Sequence, residues 1–336
     1  SHGERLAQAA AAGRGPLIAL ACDTVVDPRV LAHLARVGGD VALVAGEGAA
    51  RGAVLRLEGP LPDAARSAPD LVAAAERSIA AGASTPFDAA GFDAHIRNLR
   101  RELEPYVIPV RSPADRERVE RFLFWSNYKG STDFLTRWVW PPFVWLLLRP
   151  LARARVHPNW VTGLSIAATL AAVPLFLRGA WIPGLALAYL MSMLDSVDGK
   201  LARLTFTASR LGDVLDHGLD IVHPPFWYLA WAWGLSGADP TSGVVHAAYW
   251  LFGLYVFDRL LAPLFLWRTG RSIHGYEPVD VRLRTFISRR NVNLPVFTLA
   301  LPLGLGVPAF YAILAWQGAS ATFHAVRLVQ CWNRGR

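Results

Sequence analysis

Cysteine and lysine are almost absent from this 336-residue chain. The two cysteines, Cys22 and Cys331, stand near opposite ends, so no disulfide framework can staple the fold, and a reducing compartment is expected for the soluble part. Lys129 and Lys200 are the only lysines among 34 Lys and Arg residues, which leaves the formal charge of +8 to arginine. Those arginines fall in short segments beside apolar runs, not on one soluble face, so nucleic acid is not an expected partner. Residues 1–15 lack the apolar core of a signal peptide. With Ser at position 1, a processed, tagged or truncated start with sequence missing upstream is expected. Charge is missing entirely from residues 291–326, which hold no Asp, Glu, Lys or Arg.

What is abundant is apolar surface. The chain is 53% hydrophobic with 13 Trp, too apolar for an ordinary soluble domain of this size. A bilayer core of ~30 Å needs roughly 20 apolar residues per helix. "NWVTGLSIAATLAAVPLFL" (159–177) qualifies, and "WIPGLALAYLMSML" (181–194) qualifies once it continues past Asp195. A third span starts near Gly212 and runs through residue 235, and a fourth covers Val244 to Trp267. Residues 291–326, broken at "PLGLGVP" (302–308), supply two short ones. Six spans result. The connection 268–290 and the tail are rich in arginine, which places them, both termini and the Asp195–Asp220 region on the cytoplasmic side of the cell (inner) membrane. Ahead of the spans, "STDFLTRWVWPPFVWLLLRPLARARVHPN" (131–159) has an apolar core too short to cross, interrupted by Pro141-Pro142. Its Trp and Arg residues suit a helix lying in the headgroup layer.

The front region reads differently. Residues 16–23 and 40–46 are short strand-like runs with a helical segment between them. Residues 87–106 and 112–124 read as helices, the second capped by Ser112 with Pro113 at its first position. No glycine-rich phosphate loop precedes the first strand-like run. The organisation expected is a cytoplasmic α/β domain over 1–120, a linker and interfacial amphipathic helix over 121–156, and a six-helix membrane domain over 157–336. The fold class is thus an α-helical integral membrane protein with six transmembrane helices behind a small α/β domain.

Four acids stand where carboxylates are costly. Asp195 and Asp198 are three residues apart and Asp216 and Asp220 four apart, so each pair shares one helix face. Two facing helices can bring all four together, where they would repel strongly unless neutralised. Two divalent cations, Mg²⁺ or Mn²⁺, suit such an all-oxygen set, and paired metals serve phosphoryl-type displacement. Gly199 leaves room for a ligand at the backbone, Ala202 is small, Arg203 offers a bidentate fork, and Gly212 permits close helix packing. Asp213, His217 and His223 are read as structural or solvated, and Asp258 and Arg259 as partners of neighbouring helices. Lys129 and Asp133 are read as a solvated linker that could reach an acceptor pocket.

The pattern Asp195-x2-Asp198-Gly199-x2-Ala202-Arg203-x8-Gly212-x3-Asp216-x3-Asp220 resembles the signature of the CDP-alcohol phosphotransferases, and "HPNWVT" (157–162) is similar to the Pro-Asn-x-x-Thr that opens their first helix. The resemblance covers roughly 150–335. It implies a six-helix enzyme that transfers a substituted phosphate from a CDP-alcohol to an acceptor hydroxyl and releases CMP. It also implies that the four aspartates hold two divalent metals, that Asp220 is the base for the acceptor hydroxyl, and that Gly199, Ala202 and Arg203 contact the CDP part. "ACDTVVDPRVLAHL" (21–34) faintly resembles a sugar-nucleotide cytidylyltransferase, in which an Asp follows a central strand, and a degenerate copy of such a domain is expected.

The leading expectation is a CDP-activated lipid donor with a small polar alcohol or polyol phosphate acceptor, the product being a phosphodiester phospholipid. Arg210, Arg282, Arg289 and Arg290 are the candidates for a basic acceptor pocket. A soluble CDP-alcohol donor with a lipid acceptor is the alternative kept open by "DHGLD" (216–220), which is similar to the choline and ethanolamine branch. A cation-coupled transporter is a third reading. Membrane lipid is an expected partner, and a homodimer is left open.

Overall fold

The computed structural model describes residues 2–333 except 13, 14, 47–50, 89–91, 97, 98 and 100; the side chains of 2, 213, 216, 217 and 333 also lie outside the described set. The chain divides into two units, residues 1–97 with 101–126, and residues 98–100 with 127–336.

In the first unit the order is α1 (His2–Ala12), β1 (Leu17–Leu20), β2 (Thr24–Val26), α2 (Pro28–Leu34), β3 (Val41–Ala45), β4 (Gly52–Leu57), α3 (Asp63–Arg66) and α4 (Leu71–Ala80). β5 (Thr85–Pro86), β6 (His95–Ile96), β7 (Arg101–Glu102), β8 (Val107–Pro109) and α5 (Pro113–Ser126) follow. Four strands form a sheet in the order β1-β4-β3-β5, antiparallel except for β3 with β5. Every residue of β4 is buried. Leu55 and Leu57 pack with Leu61, Ala65 and Leu71, whereas Val54 packs with Val30, Leu34 and Val107.

The sequence reading finds β1, β3 and α2 but misses β4, whose apolar run is broken by Arg56. In the fold Arg56 is buried and bonded to the Gly39 carbonyl and to Glu58, at 2.6 Å from the latter. The helix expected over 87–106 is not formed among the described residues. His95–Ile96 pairs antiparallel with Arg101–Glu102 instead. Arg29 donates to the carbonyls of Ala94 (3.1 Å) and Leu103 (2.8 Å), engaging acceptors that a helix would have used. β1, which precedes Asp23, is an edge strand, so the central-strand feature of the cytidylyltransferase resemblance is not reproduced. Ser112 caps α5 as expected: its hydroxyl accepts from the Asp115 N–H, and Asp115 accepts in return from the Ser112 N–H, both at 3.1 Å. Because α5 continues to Ser126, the first unit ends after position 120.

The second unit opens with a single π-helical turn, Leu135–Val139, that leads into α6 (Trp140–Arg153). Pro141 and Pro142 sit in the first turn of α6, directly after the π-helical turn, so helical structure runs through them without interruption. Lacking N–H groups, they leave the Arg137 and Trp138 carbonyls without the usual partner four residues on. The chain widens there, and the Trp140 N–H reaches back five residues to the Leu135 carbonyl.

Then come α7 (Pro158–Leu177), α8 (Trp181–Leu204), α9 (Arg210–Leu235), α10 (Gly243–Thr269), α11 (Pro278–Leu283), α12 (Arg290–Ala300) and α13 (Gly306–Asn333). Their shared core holds Phe176, Trp227, Trp231, Tyr255, Phe297 and Phe310, with Trp231 stacked on Phe297 at 4.3 Å. Gly234 is required by contact: a Cβ there would lie 2.1 Å from the Phe176 carbonyl oxygen. Among the described residues, α7 and α10 are long and apolar enough to cross a bilayer. The stretch read as a short fifth span is α12, and the one read as a short sixth is the longer, 28-residue α13. α12 has 11 residues, about 17 Å at 1.5 Å per residue, before a 3₁₀ turn and Gly304 (φ 71°) end it.

Candidate active site

The helix starts set the site. His157 caps α7 by accepting the Asn159 N–H (3.2 Å), with Pro158 at the first helical position. Ser209 caps α9 by accepting the Gly212 N–H (3.0 Å). A Cβ on Gly212 would approach Asn159 Oδ1 to 2.8 Å, so this glycine is what lets the first turn of α9 lie against the first turn of α7.

Asp195 and Asp220 converge. Arg290 donates from Nη2 to Asp195 Oδ2 (3.1 Å) and from Nη1 to Asp220 Oδ1 (2.9 Å), so one guanidinium spans carboxylates from two helices. Asp198 is buried and turned toward α7, accepting from Thr162 Oγ1 (2.7 Å) and from the Gly199 N–H (2.6 Å). Asp216 rides on α9, with its side chain outside the described residues. Among the described residues no group of three His, Cys, Asp or Glu side chains gathers closely enough to hold a metal. The fit to a metal therefore rests on the convergence of Asp195 and Asp220, an oxygen-only pair of the kind hard divalent cations take.

A cavity opens beside these acids. It is lined by Asp195, Gly199, Arg203, Asp220, Arg289 and Arg290 from the expected set, and by Asn127, Tyr128, Lys129, Asp133, Lys200, Arg284 and Asn291. Arg203 folds over Gly199, where a Cβ would stand 3.4 Å from Nη1, and its Nε donates to Asn127 Oδ1 (3.1 Å). Ala202 is half-buried and does not line the cavity. Of the arginines expected at an acceptor pocket, Arg289 and Arg290 are present, whereas Arg210 and Arg282 are exposed and not among the lining residues. Arg210 starts α9 and Arg282 lies on α11. Arg284, two residues on and buried, takes the place expected of Arg282.

The reading of Asp133 as part of a solvated linker is overturned, whereas Lys129 is exposed in the loop after α5, as that reading expects, and also lines the cavity. Asp133 is 3% exposed and pairs with Arg289 (3.4 Å). Burial opposes its charge, but Arg289 and the Thr136 N–H outweigh that effect and hold the carboxyl below the usual carboxylate range. Asn291 joins this segment to the helices. Its Nδ2 donates to Asp133 Oδ1 (3.1 Å), and its Oδ1 accepts from Ser192 (2.7 Å) and from Arg290 Nε (3.0 Å). Ser192 in turn accepts from Trp140 Nε1 (3.0 Å). An acceptor-only carboxylate on one side and a donor-only guanidinium on the other fix which way this amide points. No local signal in "RRNVN" could have revealed the arrangement, because Asp133 is 158 residues away in sequence.

Lys200 is buried with its ammonium 3.9 Å from the Tyr128 ring centre, donating to the Ser196 carbonyl (3.2 Å). His223 is bonded to the Leu219 carbonyl at 2.5 Å and packed edge-on to Trp227, and its Nε2 lies 3.4 Å from Arg290 Nη1. Asp258 finds partners on α13, His324 at 2.5 Å and Gln317 at 3.4 Å. Asp213 and His217 have side chains outside the described residues.

Among the described residues, apolar helices bring carboxylates and a larger number of cationic side chains to one cavity. The model of the CDP-alcohol phosphatidyltransferase family matches residues 155–322, half of the chain, and the chain belongs to that membrane-integral family. It is 37% identical over 180 residues to an archaetidylinositol phosphate synthase from Aeropyrum pernix, covering 54% of this chain and 83% of that protein. It is 30% identical over 171 residues to cholinephosphotransferase 1 from Gallus gallus, covering 46% of this chain and 47% of that one. With ethanolaminephosphotransferase 1 from Mus musculus the identity is 32% over 90 residues, 27% of this chain and 22% of the relative. The chain thus spans less than half the length of the choline and ethanolamine relatives. The front unit lies outside the family match.

Proposed function

We propose that this protein is a multi-pass membrane enzyme that moves a substituted phosphate from a CDP-activated lipid to the hydroxyl of a polyol phosphate, releasing CMP and forming a phosphodiester phospholipid. The observation that carries this reading is the lining of the cavity. Among the described residues six cations (Lys129, Lys200, Arg203, Arg284, Arg289 and Arg290) face three acids (Asp133, Asp195 and Asp220). That excess suits a diphosphate together with a second phosphate. The printed name of the Aeropyrum relative, an inositol phosphate lipid synthase, is consistent with such an acceptor. The alternative, a choline or ethanolamine donor with a lipid acceptor, is favoured by the matches to those transferases. A quaternary ammonium prefers an aromatic face, and the Tyr128 ring in this cavity is already covered by Lys200.

In this reading Asp195, Asp198, Asp216 and Asp220 would hold two divalent cations, Mg²⁺ or Mn²⁺. Such ions, when bound, offset the charge that develops on the diphosphate. Arg203, above the open backbone at Gly199, grips the diphosphate of the donor. Arg289 and Arg290 orient the acceptor from the opposite wall. Asp220 takes the proton of the acceptor hydroxyl, the new oxygen–phosphorus bond forms, and the bond to CMP breaks. The arginine-rich connection around α11 puts the cavity and both termini on the cytoplasmic side. The bundle makes six passes, the fifth starting at the depth of the site because α12 begins at Arg290. α6, about 21 Å long, lies in the headgroup layer. The front unit is a degenerate domain that supplies no catalytic group.

The test is CMP release by purified protein with a CDP-lipid, Mg²⁺ and a panel of acceptors, with product lipids identified by mass spectrometry. Release that depends on a polyol phosphate supports the reading. Turnover of a soluble CDP-amine with a diacylglycerol-type lipid would establish the alternative.

A further inference from the structure

Two prolines follow Asp220 by one helical turn. Pro224 and Pro225 lie inside α9. Neither carries an N–H, so the carbonyls of Asp220 and Ile221 lose the donors that stand four residues ahead in an unbroken helix. In a bilayer interior, freed backbone groups must be satisfied by a neighbouring helix. Tyr255 on α10 does this: its hydroxyl lies 3.2 Å from the Asp220 carbonyl and 3.1 Å from that of Ile221. Its ring is 2% exposed, packed in the helix core and covered by the Arg259 guanidinium at 4.8 Å.

We propose that Tyr255 is the positioning residue for Asp220, its single O–H, shared between the Asp220 and Ile221 carbonyls, standing in for the backbone donors that Pro224 and Pro225 remove. The inference rests on the reading of Asp220 as the group that receives the acceptor proton. Tyr255 is not aimed at substrate; it acts through the backbone that carries the Asp220 carboxylate. The prolines remove two backbone hydrogen bonds next to the acid, and the phenol on α10 holds the freed carbonyls in one position. A hydroxyl is needed here because an aromatic ring alone offers no donor.

The test removes the hydroxyl and then returns the missing N–H groups. Tyr255→Phe keeps the ring, and kcat for CMP release is expected to fall about tenfold, the size of one hydrogen bond to a buried group, with the donor KM unchanged. Thermal unfolding in detergent should move to lower temperature. Pro224→Ala with Pro225→Ala restores both backbone donors, and in that background Tyr255→Phe should have less than a twofold effect on kcat and no further shift in unfolding. The same loss in both backgrounds would overturn the proposal, because it would mean that the phenol acts on substrate or merely packs. A single variant Tyr255→Phe with wild-type kcat and unfolding temperature would overturn it too. If Tyr255→Phe does not accumulate folded, the triple variant decides: recovery of folded protein supports the proposal, and failure where Pro224→Ala/Pro225→Ala alone folds overturns it. The unfolding series needs no turnover, so a wild type that releases no CMP would remove the functional reading and leave the hydrogen-bond assignment tested on its own.

Discussion

Gly212→Ala is the smallest change that tests how the site is assembled. The added Cβ would stand 2.8 Å from Asn159 Oδ1 and 3.1 Å from Ser209 Oγ, against an ordinary contact of at least 3.4 Å. Relief requires the first turn of α9 to retreat from α7 by about 0.6 Å, or the Asn159 side chain to swing away. Overpacking of this kind costs ~1–3 kcal/mol, offset by up to ~1 kcal/mol from replacing glycine in a helix. A net loss of up to about 2 kcal/mol is expected in thermal unfolding. Asp220 moves with the helix, and displacement beyond ~0.5 Å exceeds what a catalytic arrangement tolerates, so CMP release should fall about tenfold or more. Gly218, between Asp216 and Asp220 on the same helix, has nothing within 4 Å of its Cβ position, and Gly218→Ala should not lower stability. Adding Asn159→Ala to Gly212→Ala should recover most of the lost stability by clearing the space. Wild-type unfolding and activity for Gly212→Ala, or equal damage from Gly218→Ala, would refute the reasoning.

Three further outcomes are expected. Asp195→Asn, Asp198→Asn, Asp216→Asn and Asp220→Asn should each abolish CMP release in protein that still folds in detergent; near wild-type turnover at saturating Mg²⁺ in any one of them would remove that residue from the site. Asn291→Asp places a carboxylate against Asp133 and should destabilise the protein by ~3–5 kcal/mol, as breaking a buried charged network does, whereas a neutral result in thermal unfolding would mean that the amide does not join these segments. Asp133 has a lowered folded-state pKa, so its stabilisation is complete above the ordinary carboxylate value of ~3.9 and is lost as pH falls through the folded value. The unfolding temperatures of wild type and Asp133→Asn should therefore differ at pH 7 and converge below about pH 3.9; a constant gap across that range would contradict the ion pair with Arg289.

The sequence by itself determined the acids and the helices that carry them. Spacing along one helix is local geometry, so residues three or four apart share a face wherever the helix ends up. The caps at Ser112 and the starts of α7 and α9 were similarly open to a local reading. What only the tertiary structure decided is the opposite wall of the cavity. Asp133 and Asn291 meet across 158 residues, and Arg284, not Arg282, turns inward because α11 and the turn after it set which side is buried. Burial also reversed local expectations in the front unit. Arg56 occupies a fully buried central strand by bonding to Gly39 and Glu58, and Arg29 holds carbonyls that the expected helix over 87–106 would have used. Asn291 with Asp133, and Arg29 with the Ala94 and Leu103 carbonyls, are partners distant in sequence, and such partners leave no period in the sequence.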